Sequence, residues 1–166
     1  MLGKEILDNL RAESENEHSA GLGLLDTATE FKQNKFTTLS KGRENLFGTE
    51  VRGYEIHMGE TQRLGKGKNF IDICERGGNQ VSAQDGMINE DRTVFGTYIH
   101  GIFDSSEFAR SFLNLVREKK GMSPLENTAP DYWEYKEGQY DKLADLVRDN
   151  LDMEKLYNIL GVGVDA

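Results

Sequence analysis

A histidine at the end of a short apolar run is the residue best suited to chemistry in this sequence. The stretch VFGTYIHGIFDS, Val94 to Ser105, places His100 after residues typical of a β-strand and directly before Gly101. An imidazole can accept and return a proton near neutral pH, and it commonly activates a serine hydroxyl or a cysteine thiol as a nucleophile. A strand that ends in His-Gly and leads into a helix would hold the ring at the carboxyl edge of a sheet, where open α/β folds bind ligands. His100 is therefore a candidate general base, and a hydrogen-bonded core or surface histidine is the alternative.

Two further polar residues, Glu55 and His57, stand two positions apart in GYEIHMGET. On a strand they would share one face, while the apolar residues next to them would point the other way. Together with His100 and Glu60 they would offer the imidazole and carboxylate ligands of a metal site. Polar residues at this spacing are also routine on half-exposed strands. We therefore predict no metal site and keep Glu55 and His57 as weak candidates for substrate binding.

The single cysteine, Cys74, excludes an internal disulfide framework and a multi-cysteine zinc cluster. It lies between Ile73 and Glu75 in a strand-like run, which is typical of a packing residue. The glycines of GLGLL do not have the G-x-G-x-x-G spacing, and the sequence contains no G-x-x-x-x-G-K-[ST] loop. The sequence therefore predicts no nucleotide-phosphate cradle.

The composition restricts the class of partner. The 166 residues carry a formal net charge of −9, which disfavours binding to nucleic acid or to an anionic membrane. The N-terminal MLGKEILDNL lacks the features of a signal peptide, and no apolar run approaches the length of a membrane span. We expect one domain, residues 1–166, in a soluble cytoplasmic protein.

Periodicity outlines the elements that must position these residues. Between Lys35 and His100 the apolar residues recur at every second position, which predicts strands in the runs KFTTLSKG, VRGYEIHMG, NFIDICERG and TVFGTYIHG. Turn-forming segments such as RGGNQ and QDG separate them.

Helical spacing marks both ends of the chain. Leu2, Ile6 and Leu10 predict an amphipathic N-terminal helix, and no capping residue precedes it. Ser105 or Ser106 is placed to cap a helix after the histidine strand. The stretch YDKLADLVRDNLDMEKLYNIL predicts one or two packed C-terminal helices.

Several of these motifs occur together in a known family. GLGLLDTATEF, GYEIHMGET, Asp85-Gly86, GTYIHGIFD and YDKLADLVRDNLD have the order and spacing of the C-terminal glutamine amidotransferase domain of cobyric acid synthase. The resemblance extends from Met1 to about Leu160. It implies a class I, Cys-His amidotransferase with a flavodoxin-like α/β fold. This chain would hold the C-terminal portion, with mixed and antiparallel strands in the middle and helices at the C-terminus.

The resemblance also implies a reaction. In the family a cysteine on a sharp strand-to-helix turn attacks the side-chain amide of glutamine, and ammonia passes to an N-terminal synthetase domain. There ATP with Mg²⁺ activates carboxylates of adenosylcobyrinic acid a,c-diamide for amidation, a step of cobalamin biosynthesis. His100 matches the catalytic histidine of this family. The resemblance implies no cofactor in this chain itself.

The sequence departs from the family pattern in two places. The family cysteine lies in a G-x-C-G-G-Y-Q-M-L-G turn, and this chain starts at the Met-Leu-Gly, so we expect the cysteine, the preceding strands and the synthetase domain to be missing. The isolated chain is then expected to be inactive. Many class I amidotransferases carry a carboxylate two residues after the histidine to orient the ring, and here that position is Ile102. Asp104 and Glu55 remain the open candidates for the orienting group.

Two functions of other classes stay open. One is a non-catalytic binding or scaffold half-domain that docks on a partner synthetase and, because an incomplete sheet exposes an unpaired edge, tends to self-associate. The other is a metal-dependent hydrolase built on Glu55, His57 and His100.

Overall fold

The computed structural model describes residues 1–126 and 128–161. The chain divides into two compact units, Met1–Thr128 and Ala129–Ala166. The single domain over residues 1–166 stays a prediction. Within the described residues, no helix combines the length and apolar character needed to cross a membrane.

The first unit is a mixed β-sheet followed by a helix. Its strands are β1 (Glu5–Leu7), β2 (His18–Ala20), β3 (Thr27–Glu44), β4 (Glu50–Arg63), β5 (Ile71–Arg76), β6 (Asn79–Asp85), β7 (Met87–Ile88), β8 (Phe95–Gly96) and β9 (Ile99–His100). A short 3₁₀ helix, Ile102–Asp104, leads into α1, Ser106–Lys119. The second unit contains α2, Tyr132–Asn150, and α3, Met153–Leu160.

The order of strands in the main sheet is β2-β1-β3-β4-β9, and β5 pairs with both β3 and β6. β1 runs parallel to β3, whereas β3 with β4, β5 with β6 and β4 with β9 are antiparallel. β7 and β8 form a separate two-stranded sheet. The predicted α/β fold with mixed and antiparallel strands in the middle and helices at the C-terminus is confirmed.

The long hairpin of β3 and β4 carries most of the sheet. Its turn is held by the buried carboxylate of Glu44, which accepts hydrogen bonds from the backbone N–H groups of Leu46 (2.7 Å) and Thr49 (2.6 Å). Capturing these turn donors satisfies backbone groups that the ladder does not pair. The hairpin therefore places GYEIHMGET in the centre of the sheet, on β4.

The predicted N-terminal helix is wrong. Residues Glu5–Leu7 form β1, which pairs antiparallel with β2 and parallel with β3. Gly3 passes so close to β3 that a Cβ atom there would lie 2.4 Å from Oγ1 of Thr27, and glycine is also a poor helix former. Strand pairing thus overrides a weak helical spacing. The lack of a helix cap before Met1 therefore has no bearing on what precedes it.

The other predicted helices are present, while the packing predicted for the two C-terminal helices stays a prediction, since neither contains a buried residue. Ser105 caps α1 by accepting a hydrogen bond from the Phe108 backbone N–H (3.3 Å), and Phe108 is fully buried against the sheet. The C-terminal stretch forms two helices, which are capped by Asp131 and Asp152. The core of the first unit combines strand residues with those of α1: Leu46, Val51, Phe70, Ile71, Ile73, Ile88, Ile99, Ile102 and Phe108.

Candidate active site

His100 lies on a two-residue strand at the end of the main sheet. β9 pairs antiparallel with β4, so that His100 is opposite Tyr54 and Ile99 is opposite Glu55. The two backbones approach closely at Gly53, where a Cβ atom would lie 2.0 Å from the carbonyl oxygen of His100. Only glycine permits this approach. The two family motifs that were noted separately in the sequence are therefore neighbours in the sheet.

The imidazole of His100 is accessible while the residues around it are anchored. Ile99 and Ile102 are 3% and 7% exposed and belong to the core, whereas His100 is exposed. Between them Gly101 has a φ of 81°, in the left-handed region, and turns the chain from β9 into the 3₁₀ helix. The strand, glycine turn and helix predicted from the sequence thus present the ring to solvent on a fixed backbone.

Glu55 faces away from His100. Residues opposite each other on paired strands share a face, so Tyr54 accompanies His100 and Glu55 accompanies the buried Ile99. Glu55 is 2% exposed, and its carboxylate accepts hydrogen bonds from Arg76 Nε (2.9 Å), Arg76 Nη2 (2.8 Å) and Ser40 Oγ (2.8 Å). The Glu55 side chain therefore lies on the opposite face of the sheet from the His100 ring and does not orient it. Its role in substrate binding stays a prediction that the burial does not favour.

His57 belongs to the same buried polar network as Glu55. Its Nδ1 donates to the carbonyl of Gly59 (2.7 Å), and its Nε2 lies 3.3 Å from Glu55 Oε1. The ring packs between Phe36 and Tyr98, with centroid distances of 5.2 and 4.7 Å. Both ring nitrogens therefore face hydrogen-bond acceptors. Glu55 and His57 thus lie on one face of β4, as their spacing predicts.

The arrangement considered for a metal-dependent hydrolase does not form. Glu55 and His57 lie on the sheet face opposite to the one that carries His100. No three histidine, cysteine, aspartate or glutamate side chains in the described part of the chain are grouped so that they could hold a metal ion.

Asp104 is the other candidate for orienting the ring. Its backbone N–H donates to the carbonyl of Gly101 (2.9 Å), and its carboxylate folds back over Gly101, where a Cβ atom would lie 2.8 Å from Oδ2. Asp104 is thus part of the turn that follows His100. Among the described residues, the imidazole of His100 donates no hydrogen bond to the Asp104 carboxylate.

A buried carboxylate, Asp85, lies immediately behind the histidine strand. Asp85 is 5% exposed and accepts hydrogen bonds from the Thr97 hydroxyl and from the Tyr98 backbone N–H (3.1 Å). Burial raises the pKa of Asp85 above its ordinary value. The hydrogen bonds from Thr97 and Tyr98 lower this pKa, the charge of Glu55 raises it further, and His57 lowers it, with a net rise.

In the sequence, Asp85 stands out only as part of the Asp85-Gly86 family motif. A signal was present, because Val81, Ala83 and Asp85 continue one period-two series in which the first two residues are apolar. An acidic residue in such a series is placed on the inner face of the sheet. A buried acid of this kind needs hydrogen-bond donors, which Thr97 and Tyr98 supply.

Cys74 is exposed, so the prediction of a packing residue is wrong. Along β5 the side chains of Ile71 and Ile73 are buried while those of Asp72 and Cys74 alternate with them on the outer face. Its thiol lies 3.5 Å from the carbonyl oxygen of Lys41. β5 pairs with β3 and β6, whereas the histidine strand β9 pairs with β4.

A small cleft is lined in part by Thr97 and Tyr98, which precede the histidine strand. It has a volume of about 160 Å³, and its walls include Leu2, Leu25 and Met87. Hydroxyl groups line one side, where Thr61 Oγ1 lies 2.6 Å from the Tyr98 hydroxyl. The cleft is thus largely apolar with a hydroxyl-bearing wall.

Comparison with known proteins agrees with this arrangement. A sequence model of the CobB/CobQ-like glutamine amidotransferase domain matches residues 1–108, which include His100 and its partner strand. The chain belongs to this family. The resemblance identified from the paired histidine motifs is therefore confirmed.

Relatives of this amidotransferase chain carry the name cobyric acid synthase. The one from Clostridium novyi (strain NT) is 47% identical over 165 residues, covering 99% of this chain and 33% of its own length. That of Caldanaerobacter subterraneus subsp. tengcongensis is 47% identical over 169 residues, covering 96% and 33%, and that of Streptococcus sanguinis (strain SK36) is 42% identical over 160 residues, covering 96% and 32%. The amidotransferase chain thus spans about a third of the length of these curated relatives. It corresponds to their C-terminal amidotransferase part.

Proposed function

We propose that this chain is the amidotransferase part of a cobyric acid synthase and that His100 is the general base and acid of glutamine hydrolysis. The observation that carries the proposal is the exposed imidazole of His100 at the end of a sheet strand, held between the buried residues Ile99 and Ile102 in a domain of an amidotransferase family. An accessible ring on a fixed backbone is what proton transfer to and from a reacting group requires.

The proposed chemistry is acyl transfer through a thiol. His100 takes the proton from a cysteine thiol, and the thiolate attacks the side-chain amide carbon of glutamine. The ring then gives its proton to the leaving nitrogen, so that ammonia departs and a glutamyl thioester remains. His100 next removes a proton from water, which attacks the thioester and breaks its C–S bond. Glutamate is released, and the ring returns its proton to the sulfur, which regenerates the thiol.

The thiol in this scheme comes from a residue outside the 166 residues. The one cysteine of the chain, Cys74, lies on β5, which does not pair with the histidine strand. The thiolate in this family is expected on a sharp strand-to-helix turn. Because β5 continues through a tight turn into another strand, β6, Cys74 does not match that position.

The synthetase reaction belongs to the same proposal. The relatives are named cobyric acid synthase, and two thirds of their length is not represented in this chain. We assign to that portion the use of ATP and Mg²⁺ and the amidation, by the ammonia released here, of carboxylates of adenosylcobyrinic acid a,c-diamide. A cytoplasmic location fits these substrates and is part of the proposal.

The first experiment is a glutaminase assay that measures ammonia release from glutamine. It compares this chain with a longer polypeptide that carries the family's cysteine turn ahead of it. We expect activity only in the longer polypeptide, and a loss of about 10²–10⁴-fold with His100→Ala, since this is the usual contribution of a general acid-base residue.

A matched control for the histidine is His18→Ala. His18 is also exposed, and its Nε2 lies 3.3 Å from Glu5 Oε2 on the far edge of the sheet. This variant should keep the activity of the longer polypeptide. Glutaminase activity in the 166-residue chain, or a longer polypeptide that is indifferent to His100→Ala, would contradict the proposal.

A scaffold function is the second candidate, and one observation favours it. Helix α2 has no buried residue along its 19 positions, and it exposes Leu143, Leu146 and Val147. Exposed apolar side chains along one helix are typical of a surface that binds another protein. The glutaminase assay separates the two functions, because a scaffold has no activity in either polypeptide.

A further inference from the structure

We propose that Asp85 and Thr97 are positioning residues for His100. Together they form a clamp, which consists of the Asp85 carboxylate, the Thr97 hydroxyl and the backbone N–H groups of Tyr98 and Ile99 that donate hydrogen bonds to them. The clamp fixes the chain immediately before the histidine. This inference rests on the proposed function of His100 and deepens it.

The clamp binds three consecutive residues. Asp85 accepts hydrogen bonds from the Thr97 hydroxyl and from the Tyr98 backbone N–H (3.1 Å). The Thr97 Oγ1 in turn accepts a hydrogen bond from the Ile99 backbone N–H (2.9 Å). The hydroxyl thus relays the hold of the carboxylate to the residue that directly precedes His100.

The histidine strand needs such a hold because its ladder is short. β9 contains two residues, pairs with β4 alone among the described strands, and contributes two residue pairs to the ladder. A hydrogen bond of 3.3 Å from the Ile56 N–H to the Tyr98 carbonyl adds a weak contact. Short edge strands are poorly determined by pairing alone. The clamp therefore supplies constraints on the backbone of β9 that the sheet does not.

The buried carboxylate is a costly way to fill this position. Asp85 is 5% exposed and lies near Glu55, another buried acid, whose charge opposes ionisation of Asp85. An apolar side chain would avoid the desolvation of a buried acid. Such a side chain, however, offers no acceptor to Thr97 and Tyr98. The contribution of Asp85 is therefore its carboxylate oxygens, which accept the hydrogen bonds from Thr97 and Tyr98.

Replacing Thr97 tests the clamp with little change in side-chain size. Thr97→Val replaces the hydroxyl by a methyl group and breaks the relay, whereas Thr97→Ser keeps the hydroxyl. In the longer polypeptide that carries the cysteine turn, we expect Thr97→Val to lower kcat for glutamine hydrolysis by about 10-fold, because small displacements of a catalytic group can cost up to about 100-fold. The KM for glutamine should stay within about 2-fold, and Thr97→Ser should restore kcat.

The matched control is Thr37→Val, which makes the same change at an exposed threonine of β3. It should leave both kinetic constants unchanged. Equal effects of Thr97→Val and Thr37→Val on kcat would overturn the clamp, as would a Thr97→Ser variant as impaired as Thr97→Val.

Amide hydrogen exchange tests the clamp in the 166-residue chain without any need for catalysis. Thr97→Val should speed exchange at Tyr98, Ile99 and His100 by about 10-fold or more and leave the β3–β4 hairpin unchanged, since local opening is governed by local contacts. Unchanged exchange at these three amides would overturn the clamp.

The two arms separate the clamp from the proposed function. A longer polypeptide without glutaminase activity rejects the proposed function, and amide exchange then decides the clamp. An active longer polypeptide whose Thr97→Val variant matches Thr37→Val rejects the clamp and leaves the function of His100 in place.

Discussion

Side chains that look alike in the sequence have different surroundings in the structure. His57 and His100 both follow an apolar residue on a strand, yet His57 packs between two aromatic rings while His100 is exposed. Glu55 is likewise bound by donors on several sides, with Arg76 contributing two hydrogen bonds. These contacts indicate that Glu55 and His57 stabilise the sheet, and His100 is left as the residue available for chemistry.

Replacing Glu55 tests this division of roles. Glu55→Gln puts a neutral amide against the guanidinium of Arg76 and should lower the free energy of unfolding by about 3 kcal/mol, because breaking a buried ion pair is strongly destabilising. Glu50→Gln is the control, since Glu50 is highly exposed beside Arg43 and should contribute roughly 0–1 kcal/mol. Urea denaturation of both variants measures the difference. Equal stability of the two variants would show that the Glu55 network is not a structural one.

At the level of elements, the site depends on how closely two strands approach. Gly53 on β4 has no side chain to separate it from the carbonyl of His100 on β9. The sequence motif GYEIHMG therefore begins with a residue that sets the position of the histidine strand. The short β9 pairs with β4, and the chain leaves β9 directly through Gly101, whose φ is in the left-handed region.

Adding one methyl group at Gly53 should displace the histidine strand. Gly53→Ala places a Cβ atom 2.0 Å from the His100 carbonyl oxygen, and such overpacking should cost about 1–3 kcal/mol of unfolding free energy. Gly138→Ala is the matched change in open space on α2, where it should stabilise by about 0.5–1 kcal/mol. Thermal denaturation and the NMR shift of the His100 amide report both effects. A Gly53→Ala variant with unchanged stability and an unchanged His100 amide would refute the close approach.

At the scale of the whole molecule, the exposed surface is consistent with a chain that matches only part of its relatives. The chain covers about a third of cobyric acid synthases that are 42% to 47% identical to it. Its surface exposes many large apolar side chains, among them Met1, Leu22 and Leu24 near the first strands and Leu143 and Leu146 on α2. Such surfaces are typical of proteins that bind a partner or a second copy of themselves.

We therefore expect the isolated chain to self-associate. Sedimentation velocity should show a mass that rises with concentration, because burying apolar surface favours association. The double variant Leu143→Gln, Leu146→Gln should shift the equilibrium toward the monomer. Its control, Asp141→Asn with Lys142→Gln, changes two exposed polar residues on the same helix and should have no effect. A monomer over the whole concentration range would contradict the expectation.

The sequence by itself determined those features that follow from local rules. Period-two runs located the strands, Ser105 marked the start of α1, and the histidine before Gly101 identified the candidate base. Specific motifs with fixed spacing were enough to recognise the family. These predictions hold because alternation, capping and glycine turns depend on residues that are close together in the chain.

Only the tertiary structure decided what depends on residues far apart in sequence. The N-terminal segment became a strand because β2 and β3 pair with it, which a local helical spacing cannot reveal. Cys74, by contrast, could have been placed from the sequence, since the alternation of Ile71 and Ile73 with Asp72 and Cys74 puts the cysteine on the polar face of β5. The pairing of β4 with β9 placed Glu55 and His100 on opposite faces. The packing of the end of β6 against the residues before β9 joined Asp85 to Thr97 and Tyr98. Pairing and packing create these contacts, so they exist only once the chain has folded.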